Sequence, residues 1–125
     1  MAMIVGQVVV GVGHFRGRIM RFADVFERAT GEKLFAGTLN VRVDRPIPIR
    51  EDFRILGADI DEPEQDLLFE HCRVNGINAY RIRPLHLATG GGGHGDHVLE
   101  IASAERIPNV PEGAKVSIEF NRELD

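Results

Sequence analysis

Val5–Val10 is an apolar, β-branched run that predicts a buried strand. Gly11, Gly13 and Gly17 break it into a loop, and Arg18–Met20 is expected to resume as a short strand. Phe22, Val25, Phe26 and Ala29 recur at helical spacing, which predicts a principal helix over Phe22–Thr30, ended by Gly31. Thr38–Val43 alternates, with Leu39, Val41 and Val43 on one face and Thr38, Asn40 and Arg42 on the other. Pro46 and Pro48 end that strand, because proline has no N–H for a ladder interior. Phe53–Ile60 is expected to hold a strand, followed by an acidic turn at Glu62–Asp66. Leu67–Val74 and Ile77–Arg83 flank Asn75-Gly76, a pair suited to the positive φ angles of a tight hairpin. After the Gly-rich stretch Thr89–Asp96 come His97–Ala102, a turn at Pro111-Glu112-Gly113, and a last strand at Lys115–Phe120. Six or seven short strands with one helix predict a mainly β fold, a closed barrel or a sandwich.

Length adds a single domain, 1–125, with no linker or long repeat. A chain of this size buries about two-thirds of its unfolded surface. Cys72 is the only cysteine and can form no internal disulfide, which fits a reducing compartment and a cytoplasmic location. The apolar N-terminus lacks a basic flank and is too short to span a bilayer, so no membrane partner is expected. A net charge of −4, no Trp and one Tyr, Tyr80, argue against a nucleic-acid surface. The charge is uneven: residues 1–57 carry nine basic and six acidic side chains, residues 58–125 six and thirteen. Phosphate chemistry therefore suits the first half better, although chance asymmetry on a solvated surface gives the same count.

Four groups of residues offer chemistry. In Gly11-Val12-Gly13-His14-Phe15-Arg16-Gly17-Arg18, glycines let the backbone approach a phosphate, and Arg16 and Arg18 add charge. No Gly-Lys-Ser/Thr follows, so this is no P-loop, and a plain glycine-rich turn has the same composition. Thr38 and Asn40 project from one strand face as neutral oxygens, suited to a Mg²⁺ whose other ligands are phosphates and water; the plain alternative is a polar strand face. His94, Asp96 and His97, with His86, His71 and Cys72 elsewhere, offer zinc-type ligands without a standard spacing. Glu100, in an otherwise apolar strand, either faces solvent or holds a ligand donor.

The order of these signals resembles the archaeal riboflavin kinases that use CTP. A Gly-x-Gly loop follows the first strand, then a helix, then Gly37-Thr38-Leu39-Asn40-Val41, a hairpin, Ile82-Arg83-Pro84, and Leu99-Glu100-Ile101-Ala102. The resemblance spans nearly the whole chain, with Gly37–Asn40 its most specific part. It implies a small six-stranded closed barrel of the cradle-loop (RIFT-like) type and phosphoryl transfer from CTP to riboflavin, giving FMN and CDP. It places the nucleotide at Gly11, Gly13, His14, Phe15, Arg16, Gly17 and Arg18, with further contacts at Ala104, Glu105, Arg106 and Ile107. Thr38 and Asn40 match its magnesium ligands, and Glu100, with Thr89, falls on the acceptor side. Arg16 or Arg18 would neutralise charge developing in transfer. Departures gather on that acceptor side: Leu85, His86 and Leu87 follow Pro84, and Gly90–Asp96 is an insertion expected to act as a mobile lid. The readings kept beside it are a CTP-dependent kinase of another small alcohol and a non-catalytic barrel that binds a nucleotide, flavin or metal.

Overall fold

The computed structural model describes residues 1–11, 14–88, 97–107 and 110–124. In chain order these form β1 (Ala2–Val9), α1 (His14–Arg21), α2 (Ala23–Thr30), β2 (Leu39–Arg42), β3 (Phe53–Ile55) and a 3-10 turn (Gly57–Ile60). Then come β4 (Leu67–Val74), β5 (Ile77–Pro84), the single turn α3 (Leu85–Ala88), β6 (Val98–Ser103) and β7 (Lys115–Phe120). The strands run in the order β3-β4-β5-β6-β2-β1-β7, and β7 also pairs with β4. That last pairing closes a six-stranded barrel in which every pairing is antiparallel. One edge of β4 is shared: Leu67–Phe69 pairs with β3, and Cys72–Val74 pairs with β7.

Two apolar layers hold this arrangement. The barrel interior is filled by residues such as Val8, Val41, Val74, Leu99, Ile118 and Phe120. Outside β4 and β5 lies a second layer, in which Phe15, Ile19 and Phe26 of the helices meet Phe69, Tyr80 and Ile82. Strands β4 and β5 therefore have an apolar partner on both faces, which is why their sequences show little alternation. The Phe26 and Phe69 rings meet edge to face at 6.1 Å, a favoured aromatic geometry. The hairpin turn carries φ 50° at Asn75 and 81° at Gly76, as the Asn-Gly pair predicts.

Three local expectations are corrected. Arg18–Met20 is not a strand but part of α1, because the apolar stripe of the second layer already begins at Phe15 and continues through Ile19 and Phe22 at helical spacing. Gly17 sits inside that helix, exposed, and is not part of a loop. The principal helix near Phe22–Thr30 is present as α2, ended by Gly31 at φ 79°, and α1 is a second helix of equal length. The strand expected over Phe53–Ile60 stops at Ile55, where Gly57 starts the 3-10 turn. No helix among the described residues is long and apolar enough to cross a membrane.

Candidate functional site

Gly37 adopts φ 143°, a backbone region that favours glycine, and leads the chain into β2. From there the alternation of an extended strand puts Thr38 and Asn40 on one face. Pairing of β2 with β6 sets Asn40 opposite Glu100. Thr38 Oγ1 donates to Glu100 Oε2 at 2.8 Å. Pairing of β2 with β1 sets Asn40 opposite Val9 and brings Gly11 against it. A side-chain carbon at Gly11 would overlap the Asn40 amide, so the missing side chain at residue 11 leaves room for that amide. Four residues from three separate segments thus converge on one spot.

These residues line two cavities. The smaller, about 150 Å³, is lined by Thr38 together with Phe35, Leu39, Ser103, Arg106 and Ile107. The larger, about 380 Å³, is lined by Asn40, Glu100 and Gly11, with Phe15 and Arg18 from α1. Arg42, Gln65, Arg81 and Arg83 add to its wall. The Thr38–Glu100 hydrogen bond joins a residue of one cavity to a residue of the other. The larger cavity sits where two strands part. The β5–β6 pairing ends at Ile82↔Glu100, while β5 runs on to Pro84. Arg81 and Arg83 share the inward parity of Ala79 on β5, whereas Asn40 and Arg42 lie on the outward face, and all four line this cavity.

The candidate residues divide as follows. Thr38 lines the smaller cavity, and Asn40, Glu100, Gly11, Phe15 and Arg18 line the larger. Arg106 and Ile107 line the smaller cavity rather than joining the glycine segment in the larger one. Arg18 is held by Glu62 Oε1 at 2.7 Å and lies over the Phe15 ring. Arg16 and Gly17 are exposed on α1, Glu105 is exposed, Ala104 is half-buried, and none of these four lines either cavity. Gly13, Thr89, the His14 side chain, and the expected lid and ligands at Gly90–Asp96 lie outside the described residues.

The zinc alternative loses its other members to separate surroundings. His71 is hydrogen-bonded to Asn78 and, through Nδ1, to Asn121. His86 Nδ1 is bonded to Gln65 Nε2 at 2.9 Å. Cys72 is fully buried, and burial pushes its thiol up to about 12. Among the described residues no three His, Cys, Asp or Glu side chains gather as a metal site.

Sequence reasoning passed over Arg42, Arg81, Arg83 and Gln65 as site residues. The signal existed, since Arg42 shares a face with Thr38 and Asn40, and Arg81 and Arg83 are charges inside an apolar strand, as Glu100 is. Arg81 is 1% exposed. Glu70, its cross-strand partner, is fully buried and held by Arg122 at 2.6 Å and by the Arg50 N–H at 3.0 Å. Compared with known proteins, the chain matches no protein-family model and no curated protein.

Proposed function

We propose that the chain transfers the terminal phosphoryl group of CTP to the hydroxyl of a small alcohol, riboflavin being the acceptor that the resemblance implies. The observation that carries this reading is the convergence of Gly11, Thr38, Asn40 and Glu100, where the Thr38–Glu100 hydrogen bond links residues that line two different cavities. A transferase needs two substrate sites that meet at the reacting atoms. The smaller cavity suits the nucleoside, with the Phe35 ring and the aliphatic Ile107 for a base and Arg106 beside them. The donor's phosphate end then reaches Thr38, Asn40 and Gly11, and the acceptor takes the larger cavity beside Glu100.

Thr38 and Asn40 fit a magnesium ion. The Thr38 hydroxyl gives its one proton to Glu100, which leaves its oxygen lone pairs for a cation. Neutral oxygens suit an ion that arrives with nucleotide phosphates, and Mg²⁺ there would offset phosphate charge. The protein's own part is positioning and charge. Glu100 accepts a hydrogen bond from the acceptor hydroxyl and orients it. The acceptor oxygen forms a bond to the terminal phosphorus as the bond from that phosphorus to the bridging oxygen breaks. CDP leaves with the electron pair, and the hydroxyl proton is released to solvent. Arg18 and Arg42 face the charge that develops.

The test is CDP formation from CTP that depends on an added alcohol, with riboflavin first and ATP, GTP and UTP as rival donors. FMN from CTP alone is the expected result. CDP formed only with another alcohol changes the acceptor and keeps the reaction. The absence of acceptor-dependent CDP, or equal use of ATP, refutes the proposal.

A further inference from the structure

Strand β1 is paired unequally along its two edges. Against β7 it is matched from Ala2 to Gln7, and Val8 continues the ladder by donating its N–H to the Ala114 carbonyl at 2.8 Å. Against β2 it is matched only from Gln7 to Val9. Beyond Arg42 the chain leaves β1: the Val43 N–H turns to the His97 carbonyl, and Ile47 is buried in the barrel interior. Backbone groups alternate in direction along a strand. Val8 points its N–H and C=O at the β7 side, so Gly6, Ile4 and Ala2 do the same, while Val5 and Met3 point theirs at the other edge. Among the described residues, no strand pairs with Val5 or Met3 on that edge.

Other edges of the sheet are guarded. Strand β3 is short and carries Arg54, which is held by Glu51 and Asp66. Charge on a short edge strand discourages another strand from pairing with it. Where β7 runs past the end of β4, the Ser117 N–H is capped by Asn75 Oδ1 at 2.9 Å, and the Ser117 carbonyl accepts the Asn75 N–H at 2.9 Å. The β1 edge carries no such guard. Met1–Val5 holds no charged side chain and no proline. Its exposed side chains are apolar: Met1 is 66% exposed, and Met3 and Val5 are each 63% exposed. An open apolar edge of this kind is a template for a further strand.

We infer that this edge pairs antiparallel with the same edge of a second copy of the chain, about a twofold axis at Met3. The contact is independent of the phosphotransfer reading. An antiparallel ladder sets edge-facing residues opposite edge-facing residues. Met3 opposite Val5 would drive Ala2 of the second copy against Gly6, where β2 still stands close: a carbon added at Gly6 would lie 2.9 Å from the Arg42 carbonyl oxygen. Met3 opposite Met3 avoids that obstacle, and it sets Val5 opposite Met1. Two backbone hydrogen bonds then join the Met3 residues, and each Val5 N–H reaches the Met1 carbonyl of the other copy. On the outer face, Met1, Met3 and Val5 of the two copies cover one another. Charge permits this approach. Glu119, opposite Met3 on β7, is paired with Arg73 at 3.5 Å, and the Met1 ammonium is paired with Glu123 at 2.9 Å, so no unpaired like charges are brought together. A twofold contact closes on itself, so assembly stops at the dimer. Stable interfaces use about 20–30 residues a side; this strip is far shorter, so the dimer is weak and forms only at high concentration.

The experiment is sedimentation velocity of the full chain from low micromolar to near-millimolar concentration. A monomer that passes to a dimer, with no larger species, is expected. Val5→Lys places a charge on the edge, and Met3→Pro removes an N–H that faces it; each is expected to weaken association at least about tenfold. Met20→Lys alters a side chain that is 61% exposed on α1, away from this edge, and is expected to change nothing. Two cysteine variants test the register and decide the matter if Met3→Pro does not fold. Met3→Cys is expected to give a disulfide-linked dimer on oxidation, since facing residues of a hydrogen-bonded pair stand about 5.5 Å apart between Cα atoms, within disulfide reach. Val5→Cys is expected to give none, since its counterpart lies about 14 Å away along the strands. The native Cys72 is fully buried and does not compete. A monomer at every concentration overturns the inference and leaves the edge to a strand of another protein. Species larger than a dimer, equal weakening by Met20→Lys and Val5→Lys, or equal cross-linking of the two cysteine variants overturns it too.

Discussion

Replacing Gly57 with alanine tests the turn that supports the cavity wall beside Gln65. A side-chain carbon at residue 57 would overlap the Glu62 carbonyl oxygen and come within 2.8 Å of the Gln65 carbonyl oxygen. Both are backbone atoms in a turn that is pinned at each end. The Gly57 N–H donates to Asp66 Oδ1 at 2.8 Å, and the Gly57 carbonyl accepts from the Glu62 N–H at 2.8 Å. Neither obstacle can rotate away as a side chain does. Overpacking of this kind costs about 1–3 kcal/mol. Alanine recovers about 0.4–1 kcal/mol by restricting the unfolded chain. The net loss is about 1–2 kcal/mol, which for a domain of this length lowers Tm by roughly 3–12 °C. Scanning calorimetry of Gly57→Ala beside Gly17→Ala is the assay. Gly17 is an exposed helical residue with open space around it, so its alanine variant is expected to gain about 0.5–1 kcal/mol. An unchanged Tm for Gly57→Ala would show that the turn relaxes freely, and a destabilised Gly17→Ala would refute the helical assignment of α1.

Thr38→Val and Asn40→Ala are each expected to lower transfer at least about tenfold, equivalent to ~1.4 kcal/mol, while Tm changes little; wild-type turnover with Mg²⁺ limiting would dismiss both as ligands. Gly11→Ala is expected to show a similar loss, because the added methyl displaces the Asn40 amide, and normal turnover would show that the amide's position does not matter. Tyr80, the only tyrosine, is pushed up to about 12 by burial and by the neighbouring Glu32 carboxylate, which accepts its hydroxyl at 2.6 Å. Its folded pKa lies above its unfolded value of 10.0, so its contribution to stability is full below about pH 10 and is lost as pH rises to about 12. Tyrosinate absorbance reports this one residue; a midpoint near 10 in the folded protein would refute the buried Tyr80–Glu32 contact. Phe26→Ala is expected to cost about 3–5 kcal/mol, measured by denaturant titration, because the ring is fully buried between the helices and Phe69; a loss below about 1 kcal/mol would contradict that packing.

Most of the barrel is legible in the sequence because local chemistry agrees with the fold. Asn75-Gly76 permits one turn, and Thr38–Val43 alternates because one face meets the interior while the other meets the site. The errors fall where a local signal competes with a distant one. Three glycines suggest one long loop, yet the second apolar layer outside β4 and β5 draws Phe15 and Ile19 into a helix. Gly57 ends β3, and only the backbone of residues 62–65 shows why. Thr38, Asn40 and Glu100 stand out as polar positions in apolar strands. Their meeting depends on the β2–β6 register, which no spacing along the chain encodes. Arg81 and Arg83 carry the same mark as Glu100, but which cavity they line depends on the β5–β6 pairing, which no spacing along the chain encodes.

The shared edge of β4 has a kinetic consequence. The β4–β5 hairpin is local, and such hairpins form in about 1–10 μs. The contacts that close the barrel are of another kind. The β1–β7 pairing joins opposite ends of the chain, from Ala2↔Phe120 to Gln7↔Lys115. The β4–β7 seam runs only from Cys72↔Phe120 to Val74↔Ile118. Strand β7 must therefore find two partners remote in sequence, one of them along a short stretch, before the interior is sealed. High contact order of this sort places folding in the range of about milliseconds to seconds. Until β7 docks, Leu99, Ile101 and Val116 face water. Substitutions in β7 should slow folding only to the extent that its docking is already under way at the rate-limiting barrier; otherwise they will appear as faster unfolding.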